Sequence, residues 1–313
     1  MRAIVGIPVA GVIVLLMAIT VGAGRNPGFM EDYHILLLNT SALGQGLIPT
    51  ATDGGNHPST SSCGPIGGAL GKLCADATGA VGSAVGSGAA ELSSLDAAAA
   101  ESLRNKIGLQ QWYSFHVLDI CQGLFTPNAT APRAAYNATS CTQSLQTSLF
   151  NISALIDRQL GAGPLHLSLA DLGLATDLQD GLDKLSNGLK ILAYLYITAI
   201  ALSAVSLCLS VFWLCRRAYK VSWANFWAAL LTALVLLVAN TIVVIGGGSV
   251  SRINGLGNKI GLSLSSGEKF AAITWASFAL ALLLALIWAC TSRLDLKARR
   301  LNRQATRWAS QPF

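Results

Sequence analysis

Four runs of apolar residues divide the chain, and each is long enough to cross a membrane as a helix. They cover residues 4–21, 191–214, 223–245 and 270–290. A bilayer core about 30 Å thick needs about 20 helical residues. The first run, with Pro8 inside it, is short enough to be either a signal sequence or a span. The pattern predicts a mainly α-helical integral membrane protein with a four-helix transmembrane bundle.

Charge along the polar segments predicts which side of the membrane each one occupies. Residues 25–189 carry 13 acidic and 7 basic side chains, whereas residues 293–313 carry six basic side chains against Asp295. Basic residues collect on the cytosolic side of spans. We therefore expect cytosolic segments at 1–3, 215–222 and 291–313, and extracellular loops at 22–190 and 246–269. The same division argues against nucleic acid as a partner, because the basic stretches are short and lie beside spans.

Sequons and cysteines agree with an extracellular loop at 22–190. All four Asn-x-Ser/Thr sequons lie there, at Asn39, Asn128, Asn137 and Asn151, and are candidates for glycosylation. So do Cys63, Cys74, Cys121 and Cys141, while Cys208, Cys215 and Cys290 lie in or at the ends of spans. Four cysteines allow three pairings. A Cys121–Cys141 bond would leave Cys63 to pair with Cys74, and free thiols are the alternative.

The large loop is predicted to be mostly helical with a short strand region. Residues 54–88 are rich in Gly, Ser and Ala and are expected to be irregular, and helices are expected at 93–108 and 145–160. Alternation at Tyr113, Phe115 and Val117 predicts a half-buried strand. A further helix, from Leu178 to Leu189, is expected to continue into the second span. Gly246–Gly248 are expected to form a flexible exit from the third span.

The histidines and the residues of the spans give little support to a catalytic or a transport function. None of the four histidines has a partner at metal-ligand spacing, so no enzyme, metal or cofactor is predicted. His116 is expected at a polar edge near Asp119. The spans contain no Asp, Glu, Lys or Arg, and Asn240 is the only strongly polar side chain assigned to their interiors. We expect Asn240 to hydrogen-bond to another helix, and the small-residue stripe from Ser277 to Ala289 to pack closely.

Two motifs resemble the fungal Sur-seven/PalI family, whose members are four-pass cortical-patch (eisosome) and pH-response membrane proteins, distantly claudin-like. The first motif lies in the large loop and comprises Trp112, Tyr113, Cys121, Gly123 and Cys141. The second runs from Asn254-Gly255 through Gly267 to Lys269-Phe270, and is similar to the family's final external loop. The resemblance covers most of the chain in layout and favours an uncleaved first span.

The resemblance implies a non-enzymatic plasma-membrane protein that organises eisosome-like cortical domains, with roles in cell-wall integrity and endocytic patterning. The bundle is expected to associate laterally, and the outer loop to face the cell wall. Five basic residues of the C-terminal segment are expected to attract anionic lipid of the inner leaflet, or to set topology alone: Lys297, Arg299, Arg300, Arg303 and Arg307. The alternatives are a PalI-like signalling or trafficking component and a channel or transporter subunit.

Overall fold

Long helices and a small sheet make up the part of the chain that the computed structural model describes. That part comprises residues 2–28, 30–42, 110–127, 134–142, 154, 176–215, 219–257 and 262–309. The helices are α1 (Arg2–Gly22), α2 (Thr176–Cys215), α3 (Tyr219–Gly257) and α4 (Glu268–Ala309). The strands are β1 (Leu36–Asn39), β2 (Trp112–Phe115), β3 (Ile120–Thr126), β4 (Ala135–Thr142) and β5 (Ser263–Ser266). Within those ranges, four helices are long and apolar enough to cross a membrane, which confirms the predicted fold class.

The helices extend beyond the apolar runs that predicted them. Because α2 begins at Thr176, the helix predicted through Leu178 and Leu189 is continuous with the second span, as expected. The flexible exit predicted at Gly246–Gly248 is wrong, since α3 continues through these glycines to Gly257. Each glycine in a helix costs only about 1 kcal/mol relative to alanine, less than leaving backbone groups unsatisfied near the bilayer.

One compact unit of the fold is the helix bundle, formed by residues 1–22, 192–243 and 268–313. Its interior combines small side chains such as Ala10, Ala229 and Ala281 with large ones such as Met17 and Trp288. Ser277, Ala281 and Ala285 are buried, so the stripe predicted on α4 packs within the bundle. Large apolar side chains such as Leu15 and Leu286 point outward and are 60% and 57% exposed. A helical surface this apolar requires a lipid environment.

Two asparagines are buried in the bundle, where sequence analysis identified only Asn240. Asn240 Oδ1 accepts a hydrogen bond of 3.2 Å from the Tyr196 hydroxyl, so the expected link to another helix is confirmed. Asn225 connects three helices. In the amide orientation that satisfies both ends of the side chain, its nitrogen lies 2.6 Å from Ser206 Oγ, and its oxygen accepts hydrogen bonds from Ser210 Oγ at 2.7 Å and Trp288 Nε1 at 3.2 Å. Asn225 was overlooked because it sits beside aromatic residues at the start of the third run.

The second compact unit, residues 23–191 and 244–267, contains an antiparallel five-stranded sheet in the order β4-β3-β2-β1-β5. The central register aligns Leu38 of β1 with Tyr113 of β2 on one side and with Leu264 of β5 on the other. Strand β1 follows α1, whereas β5 lies between α3 and α4. One sheet therefore joins segments of the two loops that were predicted to be extracellular.

The strand predicted around Tyr113 is present, but it is not half-buried. All four residues of β2 are buried, including Ser114, because the sheet is covered on both faces at this strand. The described part of the large loop contains four strands, the short turn Glu31–Tyr33 and the beginning of α2. The Gly-rich segment 54–88 and the helices predicted at 93–108 and 145–160 lie outside the described residues, apart from Ala154.

Candidate functional site

A disulfide joins the two strands at one end of the sheet. Cys121 of β3 and Cys141 of β4 are direct cross-strand partners and form the bond that sequence analysis left open. Cys121 is fully buried, and its Sγ lies 3.2 Å from the carbonyl oxygen of Gly24. The bond therefore holds β4 to the sheet and seals β3 against the segment that follows α1. The predicted partners Cys63 and Cys74 lie outside the described residues.

Trp112 and Gly123 face each other across β2 and β3, and their contact explains the glycine. A side chain at position 123 would overlap the carbonyl oxygen of Asn137 and would lie 2.7 Å from the Trp112 ring. The buried Trp112 ring packs edge-on against Tyr136 of β4, with 5.5 Å between the ring centroids. Glycine thus allows the third and fourth strands to close over the indole.

A buried carboxylate lies beneath the disulfide. Glu31 belongs to the short 3-10 turn Glu31–Tyr33 and is 7% exposed. Its Oε2 accepts a hydrogen bond of 2.9 Å from Ser114 Oγ and lies 3.3 Å from Nε2 of the fully buried His116. Its Oε1 accepts a weaker hydrogen bond of 3.4 Å from the backbone of Gly28. The polar edge predicted for His116 is therefore wrong, because the turn that carries Glu31 covers this histidine.

Serine, histidine and glutamate are the residue types of a hydrolase triad, but these three are not arranged as one. In a triad the acid orients the imidazole through Nδ1 while the serine meets Nε2. Here both Ser114 and Glu31 lie on the Nε2 side, at 3.1 and 3.3 Å. Nδ1 of His116 is buried without a partner among the described residues. The cluster is a closed polar core of the sheet.

The same cluster has part of a metal-ligand set. A Glu31 oxygen, a His116 nitrogen and Cys121 Sγ lie within 4.8 Å of one another. However, a cysteine ligates metal as the thiolate, and the sulfur of Cys121 is bonded to Cys141. The carboxylate and the imidazole alone supply two ligands, whereas a structural zinc site takes four.

Burial shifts the titration of several groups around the cluster. Desolvation lowers the pKa of His34, whose Nδ1 donates a hydrogen bond of 2.7 Å to the backbone oxygen of Glu31. Desolvation also raises the pKa of Asp119, and the nearby positive charge of Arg25 opposes that shift. The pKa of the Tyr136 hydroxyl is raised, again chiefly by desolvation. The neutral forms of His34, Asp119 and Tyr136 are therefore favoured.

The outer edge of β5 is occupied by a side chain. Asn254 of α3 donates from Nδ2 to the Leu264 carbonyl at 2.8 Å and accepts from the Leu264 N–H at 2.6 Å. The amide thus pairs with β5 as a further strand would. Gly267 ends this region, and a side chain there would overlap the carbonyl oxygen of His34. The second sequence motif therefore consists partly of residues that fasten β5 to the sheet.

The remaining candidate residues lie in different places. Asn39 is half-buried in β1, and its Oδ1 accepts a hydrogen bond of 2.9 Å from the backbone of Ser41, whereas Asn137 is exposed on β4. Asn128 and Asn151 lie outside the described residues. The C-terminal basic segment continues α4 as a helix to Ala309. Lys297, Arg299 and Arg300 are exposed on it, and only the backbone is described for Arg303 and Arg307.

A comparison of the chain with known protein families agrees with the sequence motifs, the spans and the sheet. Residues 2–287 match the SUR7/PalI family. The chain belongs to the SUR7/PalI family. No curated protein and no solved structure matches it. The family and the four candidate spans make this a multi-pass membrane protein, and the family is not known as an enzymatic one.

Sequence analysis singled out five residues by their resemblance to a family motif, but not the side chains that pack beside them. Trp112 lies on β2, Cys121 and Gly123 lie on β3 and Cys141 lies on β4, and the Tyr113 hydroxyl accepts a hydrogen bond of 3.1 Å from the Gln110 backbone. Glu31 was missed, because a single acidic residue in a turn carries no periodic signal. The left-handed Met30 that precedes it, with φ of 54°, is visible only in the structure.

Proposed function

We propose that this SUR7/PalI-family protein is a non-enzymatic organiser of cortical plasma-membrane domains in a fungal cell. In this role the sheet faces the cell wall, and the bundle associates laterally in static, eisosome-like patches that serve cell-wall integrity and endocytic patterning. The observation that carries the proposal is the construction of the sheet, a sealed, disulfide-bonded module tied to helices that cross the membrane. Such a module suits a structural or adhesive role.

Orientation is supported by the strand pairing together with charge. The pairing of β1 with β5 puts the two longer loops on one side, so the connection between α2 and α3 belongs on the other. That connection carries Arg216 and Arg217, and the basic end of α4 lies on the same side. Because basic residues mark the cytosolic face, both termini are cytosolic in the proposal, and the glycosylation candidates, including the exposed Asn137, are outside.

The interior of the bundle favours an organiser over a channel or transporter. Most of its buried hydroxyl groups donate to the carbonyl one turn earlier in their own helix, as Ser203 does to Ala199 at 2.7 Å and Thr232 does to Ala228 at 2.9 Å. Asn225 satisfies its amide on neighbouring helices. Hydroxyl groups bonded within their own helix, and an amide bonded between helices, offer little to a passing solute.

The basic end of α4 provides the proposed contact with anionic lipid. Lys297, Arg299 and Arg300 are exposed, and the Arg299 guanidinium lies 5.5 Å from the centre of the Tyr219 ring at the start of α3. Each such charge contributes about 1 kcal/mol near an anionic surface. Loss of three charges would therefore weaken the attraction by roughly 3 kcal/mol, more than a hundredfold in a partition constant.

Photobleaching of a C-terminal fluorescent fusion in a fungal cell tests the proposal. We expect cortical patches that do not recover over minutes. A combined Lys297→Gln, Arg299→Gln and Arg300→Gln variant should lose patch retention, while the exposed Lys184→Gln on α2 should behave like the wild type. Glycosylation in the outer loop reports whether orientation is kept. A diffuse, rapidly recovering wild-type protein would contradict the organiser function.

One observation favours a second candidate, a PalI-like component of the response to external pH. The buried His34 donates a hydrogen bond to the backbone oxygen of Glu31, and burial lowers its pKa, so its protonation at low pH would place positive charge inside the sheet. Endosomal cycling of the fusion after a change in external pH, without stable patches, would support this candidate over the organiser.

A further inference from the structure

Free thiols in the described part of the chain are confined to the bundle. Cys208 and Cys215 lie on α2 and Cys290 lies on α4, and all three are exposed on the outer surface of the helices. None of them lines the helix interfaces that hold Asn225 and Asn240. Because packing does not account for these residues, their position relative to the membrane decides what they can do.

Cys215 and Cys290 lie at the same depth in the membrane. Helices α2 and α4 run in the same direction, since α3 crosses back between them. The two helices touch at Trp213 and Trp288, whose ring centroids are 5.8 Å apart. Each cysteine follows its tryptophan by two residues along its helix. Cys208 precedes Cys215 by seven residues, which is about 10 Å towards the middle of the bilayer.

That depth corresponds to the boundary between lipid and water. Exposed Trp223 and Trp227 mark the interface at the start of α3. They cluster with Phe226, whose ring centroid lies 5.4 Å from the ring centroid of each tryptophan. In sequence, Cys215 is followed directly by Arg216, and Cys290 is followed three residues later by Arg293. The tryptophans and the arginines mark this boundary independently of each other and of the thiols.

We propose that Cys215 and Cys290 are sites of S-acylation by a long-chain fatty acyl thioester of coenzyme A. Thiols at the cytosolic edge of a span are the groups that take this modification. The cysteine thiol loses its proton and its sulfur attacks the acyl carbonyl carbon. The carbon–sulfur bond to coenzyme A breaks, and its thiol leaves with a proton, so no oxidant or reductant is needed.

The two acyl chains would lie beside apolar side chains that the bundle already exposes. Phe212 on α2 and Leu286 on α4 lie within about one turn of the respective cysteines and are 48% and 57% exposed. Two chains at one depth widen the bundle on its cytosolic half, and a bulky acylated surface there determines which lipids and proteins can pack beside it. The inference rests on the proposed topology, because the acyl donor is cytosolic.

The inference is tested on the full-length protein from fungal membranes by an assay that replaces each thioester-linked acyl group with a polymer tag. Free thiols are blocked with a maleimide under non-reducing conditions, and thioesters are cleaved with neutral hydroxylamine. The released thiols are labelled with polyethylene-glycol maleimide. We expect a hydroxylamine-dependent gel shift of two steps, one of which is lost in Cys215→Ala and one in Cys290→Ala. In the double variant, the hydroxylamine-dependent signal should fall at least tenfold.

Cys208→Ala is the matched control, because this thiol is exposed on the same helix but lies deeper. It should keep both steps. The inference is overturned if the wild type shows no hydroxylamine-dependent shift, if the double variant keeps it, or if Cys208→Ala loses it. It is also overturned if a membrane-impermeant maleimide applied to intact cells labels the hydroxylamine-released thiols. If the fluorescent fusion is diffuse and recovers rapidly, but the two-step gel shift is intact, only the organiser function is rejected and acylation remains supported.

Discussion

Replacing Gly123 by alanine tests whether the close approach of β3 and β4 supports the sheet. The new methyl group would overlap the carbonyl oxygen of Asn137 and would lie 2.7 Å from the Trp112 ring. Relief requires β4 to move outward, and the neighbouring Cys121–Cys141 bond opposes that movement. The Trp112 ring has little room on its other side, because it packs against Tyr136.

The structure sets the size of the expected effect. Overpacking of a buried site costs about 1–3 kcal/mol, and the restraint by the disulfide places Gly123→Ala near the upper end. A destabilisation of about 2–3 kcal/mol raises the population of the open sheet about 30- to 150-fold. Cys121 is fully buried, so reduction of the bond requires this opening.

The assay is the rate at which a dithiol reduces Cys121–Cys141 in detergent-solubilised protein, followed by maleimide labelling. We expect an about 30- to 150-fold faster reduction in Gly123→Ala, together with a lower melting temperature. Gly188→Ala is the control, because Gly188 lies inside α2 with nothing within 4 Å of a new methyl group. It should be neutral or stabilising by up to about 1 kcal/mol. Equal reduction rates for Gly123→Ala and the wild type would refute the steric argument.

Three further results are expected. The Cys121→Ala, Cys141→Ala double variant should lose about 3 kcal/mol of sheet stability by the chain-entropy relation for a separation of 20 residues, measured by proteolysis, and an unchanged cleavage rate would contradict this. Asn225→Leu should lower the melting temperature of the bundle more than Asn240→Leu, at about 0.6 kcal/mol per interhelical bond, and the reverse order would be inconsistent with the network. The pKa of His34 in the folded protein is lowered below 6.5, so its contribution to stability is complete above pH 6.5 and is lost as the pH falls through that lowered pKa. The His34→Gln variant should therefore show a melting temperature that depends less on pH across this range. An unchanged dependence on pH would argue against this role of His34.

Helices and spans followed from the sequence because their signal is local. Apolar runs of membrane length and the periodic leucines before Leu189 each predict a helix from neighbouring residues alone. The flexible exit predicted at residues 246–248 was wrong because that prediction also relied on local signal alone. Local propensity indicated a break, whereas a helix that is already formed continues through them.

The sheet was harder to predict, since its strands are short and come from distant segments. Leu36–Asn39 and Ser263–Ser266 each contain four residues and pair with each other across more than two hundred positions. A four-residue apolar run gives no periodicity that separates strand from helix. Glu31 acts through contacts with Ser114 and His116 that exist only in the folded sheet, so it could not be identified beforehand. Asn254 stood out only as the start of the second motif, and its pairing with Leu264 could not be read from the sequence.

The place of β5 in the chain has a consequence for biogenesis. Strand β1 is completed early in synthesis, but its second neighbour emerges only after α3, and Asn254 is made just before it. Until then Leu36, Leu37 and Leu38 present an open apolar edge of the kind that pairs with foreign strands. Chains that stop before Ser263 lack β5 and keep that edge unpaired, so truncation in this region should promote aggregation.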